Sequence, residues 1–526
     1  MKELKNHLLC LIAVCIWTIT PSQAQLKTAN IDTLVEHAMQ KFGVQGLSLG
    51  IIKDGQVVHS RGYGINTIHQ NKKVDEHTRF AIASNTKAFT SAAIAILVDE
   101  GKLNWEDKVI DYIPEFKMYD PYVTANFTII DLLCHRSGLD LGAGDLMFFP
   151  DGADFKLKDV LNSFQYQKPV SDFRTTFTYN NLMYIVAGEL ITRVSGMSWC
   201  AYIETKIMKP LGMKETGCSY ETLTSKQNIA SPHAVTKEET KAIKPFQIGL
   251  AAPAGGIYSS IGDMMKWMSL HLNAGNFQQQ QLISEKNHLK MWTPHIQLAF
   301  NPTPKAPYRI HSSNYGLGWS IFDLNGYVLF GHTGGLPGML SQVILIPELE
   351  IGVVVLTNTS EGGAYAHASI VRTIVDNYLG LNDFNWTNKL YKRYEDYQEN
   401  GDSITVQVWA TIANNTSGQP DVEAYTGTYE DNWFGKAEVF MKNGKAHIQF
   451  LRSPQLNGEL QYYKGNSFAI KWQYQDANAD AFAIFSLDEE GLAQSIKMKG
   501  ISPEIDFSFD FQHLDLQRVQ TDPVKK

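Results

Sequence analysis

Residues 80–101 read FAIASNTKAFTSAAIAILVDEG. Ser84 and Lys87 stand three apart at the head of an apolar run containing Ala88, Ala92, Ala93, Ile94, Ile96 and Leu97, and Gly101 closes it. A run of helix formers ending in glycine predicts a buried helix. Positions i and i+3 share a helix face, so hydroxyl and amine meet within hydrogen-bond reach. A serine hydroxyl is a poor nucleophile until a base takes its proton, and a lysine becomes that base where burial lowers its pKa. Free backbone N–H groups at a helix start also favour negative charge developing nearby. Ser84 and Lys87 are therefore read as nucleophile and base. A capped helix with a solvated lysine would show the same pattern, so the reading needs support from elsewhere in the chain.

Upstream, a first helix is expected over 31–42, followed by GLSLGIIKDGQVVHSRGYG at 46–64. This stretch alternates about a Lys53-Asp54-Gly55 turn and predicts a β-hairpin. It contains Gly46-x-Ser48-x-Gly50, the letters of a nucleophile elbow. An elbow needs a strand, a sharp turn and then a helix. Ser48 stays inside a strand, so it is read as structural and its glycines as sites of close packing.

Downstream, residues 129–133 predict a short helix running into His135-Arg136-Ser137-Gly138, where the histidine is read as fixing a loop. Residues 145–178 are expected to form a loop and a helix, one wall of a pocket. Tyr179-Asn180-Asn181 precedes another apolar helical run. A phenol titrates near pKa ~10 in water, and nearby cations would lower that. PAGGIYSS at 253–260 opens an amphipathic helix, and YGLGW at 315–319 precedes a strand that runs into His332-Thr333-Gly334-Gly335. Beyond two further strands and a helix, residues 381–420 predict a helix and linker. From Tyr425 onward the pattern is all β, with a hairpin over 437–451 and alternating runs at 460–472, 482–487, 496–498 and 505–511.

Composition narrows the partners. The chain carries 46 Lys and Arg against 54 Asp and Glu, a net charge of −8, and no basic clusters, which argues against nucleic acid. Residues 1–24 combine Lys2 and Lys5 with an apolar core and a small-residue site after Ala24, the pattern of a secretory signal. Its apolar stretch is too short for a membrane span. A periplasmic or extracellular destination is expected. Cys10 and Cys15 would leave with the signal, and Cys134, Cys200 and Cys218 would remain. Three is odd and the spacings suit no metal site, so each is read as a buried apolar residue with no bridge expected. With neither a phosphate loop nor a His/Cys cluster in the sequence, no cofactor or metal is expected.

Three elements thus follow one another: Ser84-x-x-Lys87, Tyr179-x-Asn181 and His332-Thr333-Gly334. With LLCHRSGL, PAGGIYSS and YGLGW, they resemble the serine β-lactamase-related family of class C β-lactamases, low-molecular-weight penicillin-binding proteins, D-aminopeptidases and esterases. The resemblance covers roughly residues 30–380. It implies an α/β (α+β) fold, a β-lactamase/transpeptidase-like antiparallel sheet flanked by helices with a helical subdomain. The tail resembles a small lipocalin-like barrel. The implied domains are a signal at 1–24, a hydrolase domain at 25–380, a helix and linker at 381–420 and a β-barrel at 421–526.

The same resemblance implies roles. Ser84 would attack a carbonyl to form an acyl-enzyme, with Lys87 and Tyr179 sharing the base role. Asn181 would hold Lys87 and the substrate amide, His332, Thr333 and Gly334 would line the substrate, and the N–H groups of Ser84 and Gly335 would form the oxyanion hole. The substrate would be a small molecule or peptide, an ester, D-aminoacyl peptide or β-lactam. Penicillin-recognising members mostly carry Lys where this chain has His332. A histidine of pKa ~6.5 is mostly neutral at pH 7, so it would attract a substrate carboxylate only as the pH falls. One alternative is a penicillin-type sensor that acylates without turnover, and another is a binder with an inert first domain. Because every motif lies in 30–380, that part is expected to act on small esters without the tail.

Overall fold

The computed structural model describes residues 28–519, apart from 224, 236–238, 382, 401 and 416–419. The expected signal segment at 1–24, with Cys10 and Cys15, lies outside the described residues. An eight-stranded antiparallel sheet is built from β1 (Gly46–Lys53), β2 (Gln56–Gly64), β3 (Ile296–Phe300), β4 (Ser312–Tyr315), β5 (Ser320–Leu324), β6 (Tyr327–Leu336), β7 (Met339–Ile346) and β8 (Ile351–Thr357). Their spatial order is β2-β1-β8-β7-β6-β5-β4-β3. Asp54 and Gly55 take φ of 51° and 70°, the left-handed pair that a tight β1–β2 hairpin requires.

Both faces of the sheet are covered, so β8 reads as an unbroken apolar run and is buried throughout. On one face, Leu47, Leu49, Ile51, Val353 and Val355 pack with α1 (Thr28–Phe42) and α5 (Gly362–Tyr378). On the other, Ile52, Val354 and Leu356 join α2 (Thr86–Asp99) and α4 (Ile261–Leu272). Phe89 of α2 stacks on Trp267 of α4 with ring centroids 3.8 Å apart. Burying each ring contributes about 1.5–3 kcal/mol. Ser48 is buried in β1, and a side chain at Gly50 would press on Val354 and Met265 at 3.0–3.1 Å. The elbow-like glycines therefore serve sheet packing.

The C-terminal part is a closed barrel of eight strands in sequence order, from Gly427–Asp431 to Asp515–Arg518, which pair with each other to close it. Its interior is filled by Tyr425, Tyr429, Phe468, Phe485, Trp472 and Phe450. Two helices, Trp386–Asn400 and Ser403–Ala413, precede it. The first packs with α1 and α5, while Val408 of the second packs on Ala469 and Ile501 of the barrel. Among the described residues, no helix is long and apolar enough to cross a membrane.

Two expectations are corrected. Cys200 and Cys218 form a disulfide, because the chain brings their Cα atoms to 5.6 Å, and among the described residues Cys134 is free. Residues 505–511 alternate but form no strand. They make a loop that leaves the barrel between Ala493–Gly500 and Asp515–Arg518 and runs into the first domain.

Candidate active site

Ser84 lies in a single turn, Ala83–Asn85, between the short strand Phe80–Ala81 and α2. Ala83 adopts φ of 47°, a left-handed conformation that non-glycine residues enter only at a cost of order 1 kcal/mol. That bend turns the chain so that Ser84 meets β6. A side chain at Gly334 would lie 2.2 Å from the Ile82 carbonyl and 3.0 Å from the Ser84 nitrogen, so only glycine lets the strand pass there. The β5–β6 pairing ends at Gly331, whereas β6 continues against β7 as far as Leu336. Residues 332–336 therefore present a strand edge free of β5 beside the serine, and Thr333 and Gly335 are exposed on it.

Lys87 is fully buried in the first turn of α2. Its Nζ lies 3.1 Å from Ser84 Oγ, 2.7 Å from Asn181 Oδ1 and 2.8 Å from the Ala254 carbonyl. The last two groups can only accept. A neutral amine has two N–H bonds and one lone pair, so donating to both acceptors aims the lone pair at the Ser84 hydroxyl. Burial lowers the Lys87 pKa to about 7, while the Asp145 carboxyl opposes that shift. Asn181 stands at the N-cap of α3 (Leu182–Ser195) but its side chain caps nothing. Its amide nitrogen donates instead to Asp145 Oδ2 at 2.7 Å.

The expected base role of Tyr179 meets an obstacle. Lys87 Nζ lies 4.7 Å from the Tyr179 ring, yet burial drives the phenol well above its ordinary value. The neighbouring Ser84 hydroxyl opposes this and Asp145 adds to it, and the Tyr179 hydroxyl has no hydrogen-bond partner among the described residues. Tyr179 is thus a neutral phenol in the resting site, and desolvation outweighs the single nearby cation.

For His332, burial bears on the charge expected of it and not on its place beside the cavity. Burial, reinforced by Lys87, lowers its pKa to about 4. Nε2 accepts a hydrogen bond from the Tyr315 hydroxyl at 2.9 Å, and Nδ1 donates to the Thr333 carbonyl at 2.5 Å. It is a neutral strut and not a latent cation. His135, also neutral, accepts from the Asn180 N–H at 3.1 Å and packs its ring 4.2 Å from that of Tyr179.

Ser84, Tyr179, Asn181, His332, Thr333 and Gly335 all line one cavity of about 640 Å³. This constellation coincides with a family-level match: a beta-lactamase model fits residues 31–374, roughly two thirds of the chain. The chain belongs to the beta-lactamase family. Relatives in this family of serine hydrolases include the unguisins hydrolase of Aspergillus violaceofuscus, 26% identical over 500 residues and spanning 89% of this chain and 87% of the relative. Protein flp of Staphylococcus aureus (strain MW2) is 30% identical over 335 residues, 62% of each chain. The octameric penicillin-binding protein homologue from Pyrococcus abyssi shares the fold, with a TM-score of 0.59 at 23% identity over 91% of this chain and 99% of that one. Residues 413–518 match a domain of unknown function, DUF3471.

That second region supplies what sequence reading missed in the beta-lactamase site. Asp476, Glu504, Asp506, Phe507 and Ser508 of the barrel line the same cavity, with Phe148 and Phe149 of the expected wall. The Phe507 ring stands 5.9 Å from that of Tyr179, edge to face. Ser508 Oγ donates to Asp145 Oδ2 at 3.2 Å, and Asp510 accepts from the N–H groups of Gly144 at 2.7 Å and Leu146 at 2.9 Å. Away from the cavity, Arg452 bonds to Asp154 and Asp159 and lies over the Phe155 ring at 3.9 Å. The only sequence signal was a buried-looking carboxyl between Phe509 and Phe511.

Proposed function

We propose that this protein is a hydrolase that cleaves ester or amide bonds through an acyl-enzyme on Ser84. The observation that carries this reading is Lys87, whose two fixed acceptors leave its lone pair for the serine proton. As Ser84 Oγ bonds to the substrate carbonyl carbon, its proton passes to Lys87 Nζ. The oxyanion meets the N–H groups of Ser84 and Gly335, a contribution of ~3–4 kcal/mol to barrier lowering in sites of this kind. Tyr179, a protonated phenol, relays the proton to the leaving oxygen or nitrogen as that bond breaks, taking its replacement from Lys87. Water then attacks the acyl group with the proton transfers reversed.

The cavity bears on the substrate. Among the described residues lining it, Glu361, Asp476, Glu504 and Asp506 are acidic and none is Lys or Arg. Lys241 pairs with Asp476 at 3.3 Å, which leaves three. With His332 neutral, this wall favours uncharged or cationic substrates over the carboxylate of a penicillin. The test is a panel of p-nitrophenyl esters, a chromogenic cephalosporin and D- and L-aminoacyl peptides, with the acyl-enzyme followed by intact mass. Turnover of an ester or aminoacyl substrate, lost in Ser84→Ala but kept in Ser48→Ala, is expected. A burst without turnover would identify a sensor, and full labelling of Ser84→Ala by a fluorophosphonate would remove the assignment.

A further inference from the structure

Asp145 and Asp510 come from different domains and are both fully buried. Asp510 binds the two N–H groups that flank Asp145 in the chain, one with each oxygen. This fork suits a carboxylate, since both its oxygens accept. Asp145 is held differently. Its Oδ2 accepts from Asn181 and Ser508, while its buried Oδ1 has no hydrogen-bond partner. Two buried carboxyls near one another do not both ionise readily, and the Asp145 Oδ1, without a partner among the described residues, is where its own proton fits.

We propose that Asp510 of the C-terminal barrel is a positioning residue for the base Lys87: its carboxylate obliges Asp145 to keep a proton, and so denies Lys87 a counter-ion. The inference rests on the acyl-transfer reading above. Lys87 donates through Asn181 toward Asp145, and an ionised Asp145 would hold the ammonium form and silence the base. Burial raises the Asp145 pKa well above the carboxylate range, with Asp510 adding to the rise and Asn181, Lys87 and Ser508 opposing it. Burial likewise pushes Asp510 up to about 7, against its two N–H partners and with Asp140 adding to the rise. Asp140 itself faces His513, at 3.2 Å. Around Lys87 the remaining titratable groups are Tyr179, Tyr184, His135 and His332, and burial holds all four neutral. The charge state of the base thus depends on the two carboxyls, one of them delivered by the barrel.

The full-length protein tests this in two ways. Infrared spectroscopy at pH 8.5, where Asp510 is ionised, should show the carbonyl stretch of a protonated carboxylic acid, and Asp145→Asn should remove it. Asparagine copies the protonated acid, its oxygen toward Asn181 and Ser508 and its amide toward the unpartnered side. The second readout is the rate of Ser84 labelling by a fluorophosphonate against pH, where the position of the acidic limb is read and not its height. Asp145→Asn should leave that limb in place. Asp510→Asn should move it up by about one pH unit, a roughly fivefold loss of rate at pH 7, where Asp510 ionises in the wild type, because Asp145 can now ionise. The double variant should restore it.

Persistence of the band in Asp145→Asn would overturn the proposal. So would a limb that moves down by about a unit in Asp145→Asn, or an Asp510→Asn shift that survives in the double variant. If Asp510→Asn does not fold, the band and the Asp145→Asn limb decide the matter alone. If the wild-type protein takes no label, the acyl-transfer reading fails while the infrared band still tests the carboxyl pair.

Discussion

Asp131 and Asp145 are both fully buried carboxyls of the helical region, fourteen positions apart, and their surroundings treat them in opposite ways. Asp131 receives Arg136 Nε and Arg174 Nη2 at 2.6 Å each, with the N–H and hydroxyl of Thr128 at 2.8 Å each. Burial alone would raise its pKa, but the Arg174 bonds and the Arg136 charge prevail and hold it below the usual carboxylate range. Asp145 has two neutral donors, an unpartnered oxygen and a second carboxyl nearby, and its pKa rises. Full pairing makes a buried charge part of the scaffold. Under-pairing keeps a proton available, and here it occurs beside the candidate base.

The comparison extends to the domains, and the largest effect should come from removing the barrel. A chain ending at Asn400 would lose Ser508, Asp510 and the Phe507 wall, contrary to the expectation that residues 30–380 act alone. Ser84 labelling should fall by about 100-fold or more, since displacing a reacting group by an ångström can cost that much. Labelling of a folded, shortened chain at the full rate would show that the barrel is a passenger.

Next in size is Asp131→Asn. It leaves Arg136 and Arg174 without their common carboxylate, at a cost of about 3–5 kcal/mol of folding stability if the site behaves like other broken buried pairs. Chemical denaturation would measure it. Labelling per folded molecule should change little, because this pair lies outside the Ser84–Lys87–Asn181–Asp145 chain of contacts. Asp145→Asn, which copies the protonated acid, should change stability little and leave the acidic limb of labelling in place. Equal destabilisation by both substitutions would erase the distinction drawn here.

How much of this was legible follows from how far each contact reaches along the chain. Ser84 and Lys87 lie one helical turn apart, so their meeting is local and could be read directly. The roles of Tyr179-x-Asn181 and His332-Thr333-Gly334 came by resemblance, and the fold brings Tyr179, Asn181, His332 and Thr333 to the same cavity, while Gly334 lets β6 pass the Ile82 carbonyl. The charge state of His332 could not be read locally, because it depends on burial and on Tyr315, a partner on another strand. Cys200 and Cys218 were misjudged because an odd number of thiols says nothing of which two come within reach. The alternation at 505–511 matched a strand's period, but its apolar side chains serve two domains. Phe509 packs 5.0 Å from Phe149 of the first domain, and Phe511 5.7 Å from Trp472 inside the barrel. Contacts between domains leave no period in the sequence.

A smaller effect separates the two kinds of carboxyl by pH. Asp510 titrates near 7 folded and near 3.8 unfolded, so between those values the folded state binds more protons. Its contribution to stability is therefore fully present below about pH 4 and is lost as pH rises toward 7. Asp131 has the opposite sign: its contribution is present above its unfolded value and fades only as pH falls below about 4. Asp510→Asn should accordingly gain on the wild type by about 1 kcal/mol per pH unit across pH 4–7, a difference in which the retained histidines cancel. Parallel stability profiles for the two proteins would show that Asp510 is ionised throughout.

The smallest expected effect is none at all, and it concerns His332. Its two ring nitrogens are both engaged, so it stands with Asp131 as a fully partnered group, though a neutral one. Protonation at Nε2 would place a proton where the Tyr315 hydroxyl already donates, in a buried site that also faces Lys87. Burial, followed by the Lys87 charge, lowers its pKa to about 4, against the bond to the Thr333 carbonyl. Between pH 5.5 and 8.5 its charge should not change, and KM for a substrate with a carboxylate should follow the same profile as KM for an uncharged ester. The acidic limb of kcat should appear for both, because it belongs to Lys87, near 7. His332→Gln keeps one acceptor and one donor without a titration, and should leave both KM profiles as they were. A KM that rises with pH for the carboxylate substrate alone, and flattens in His332→Gln, would return the histidine to the substrate and place it with Asp145 instead.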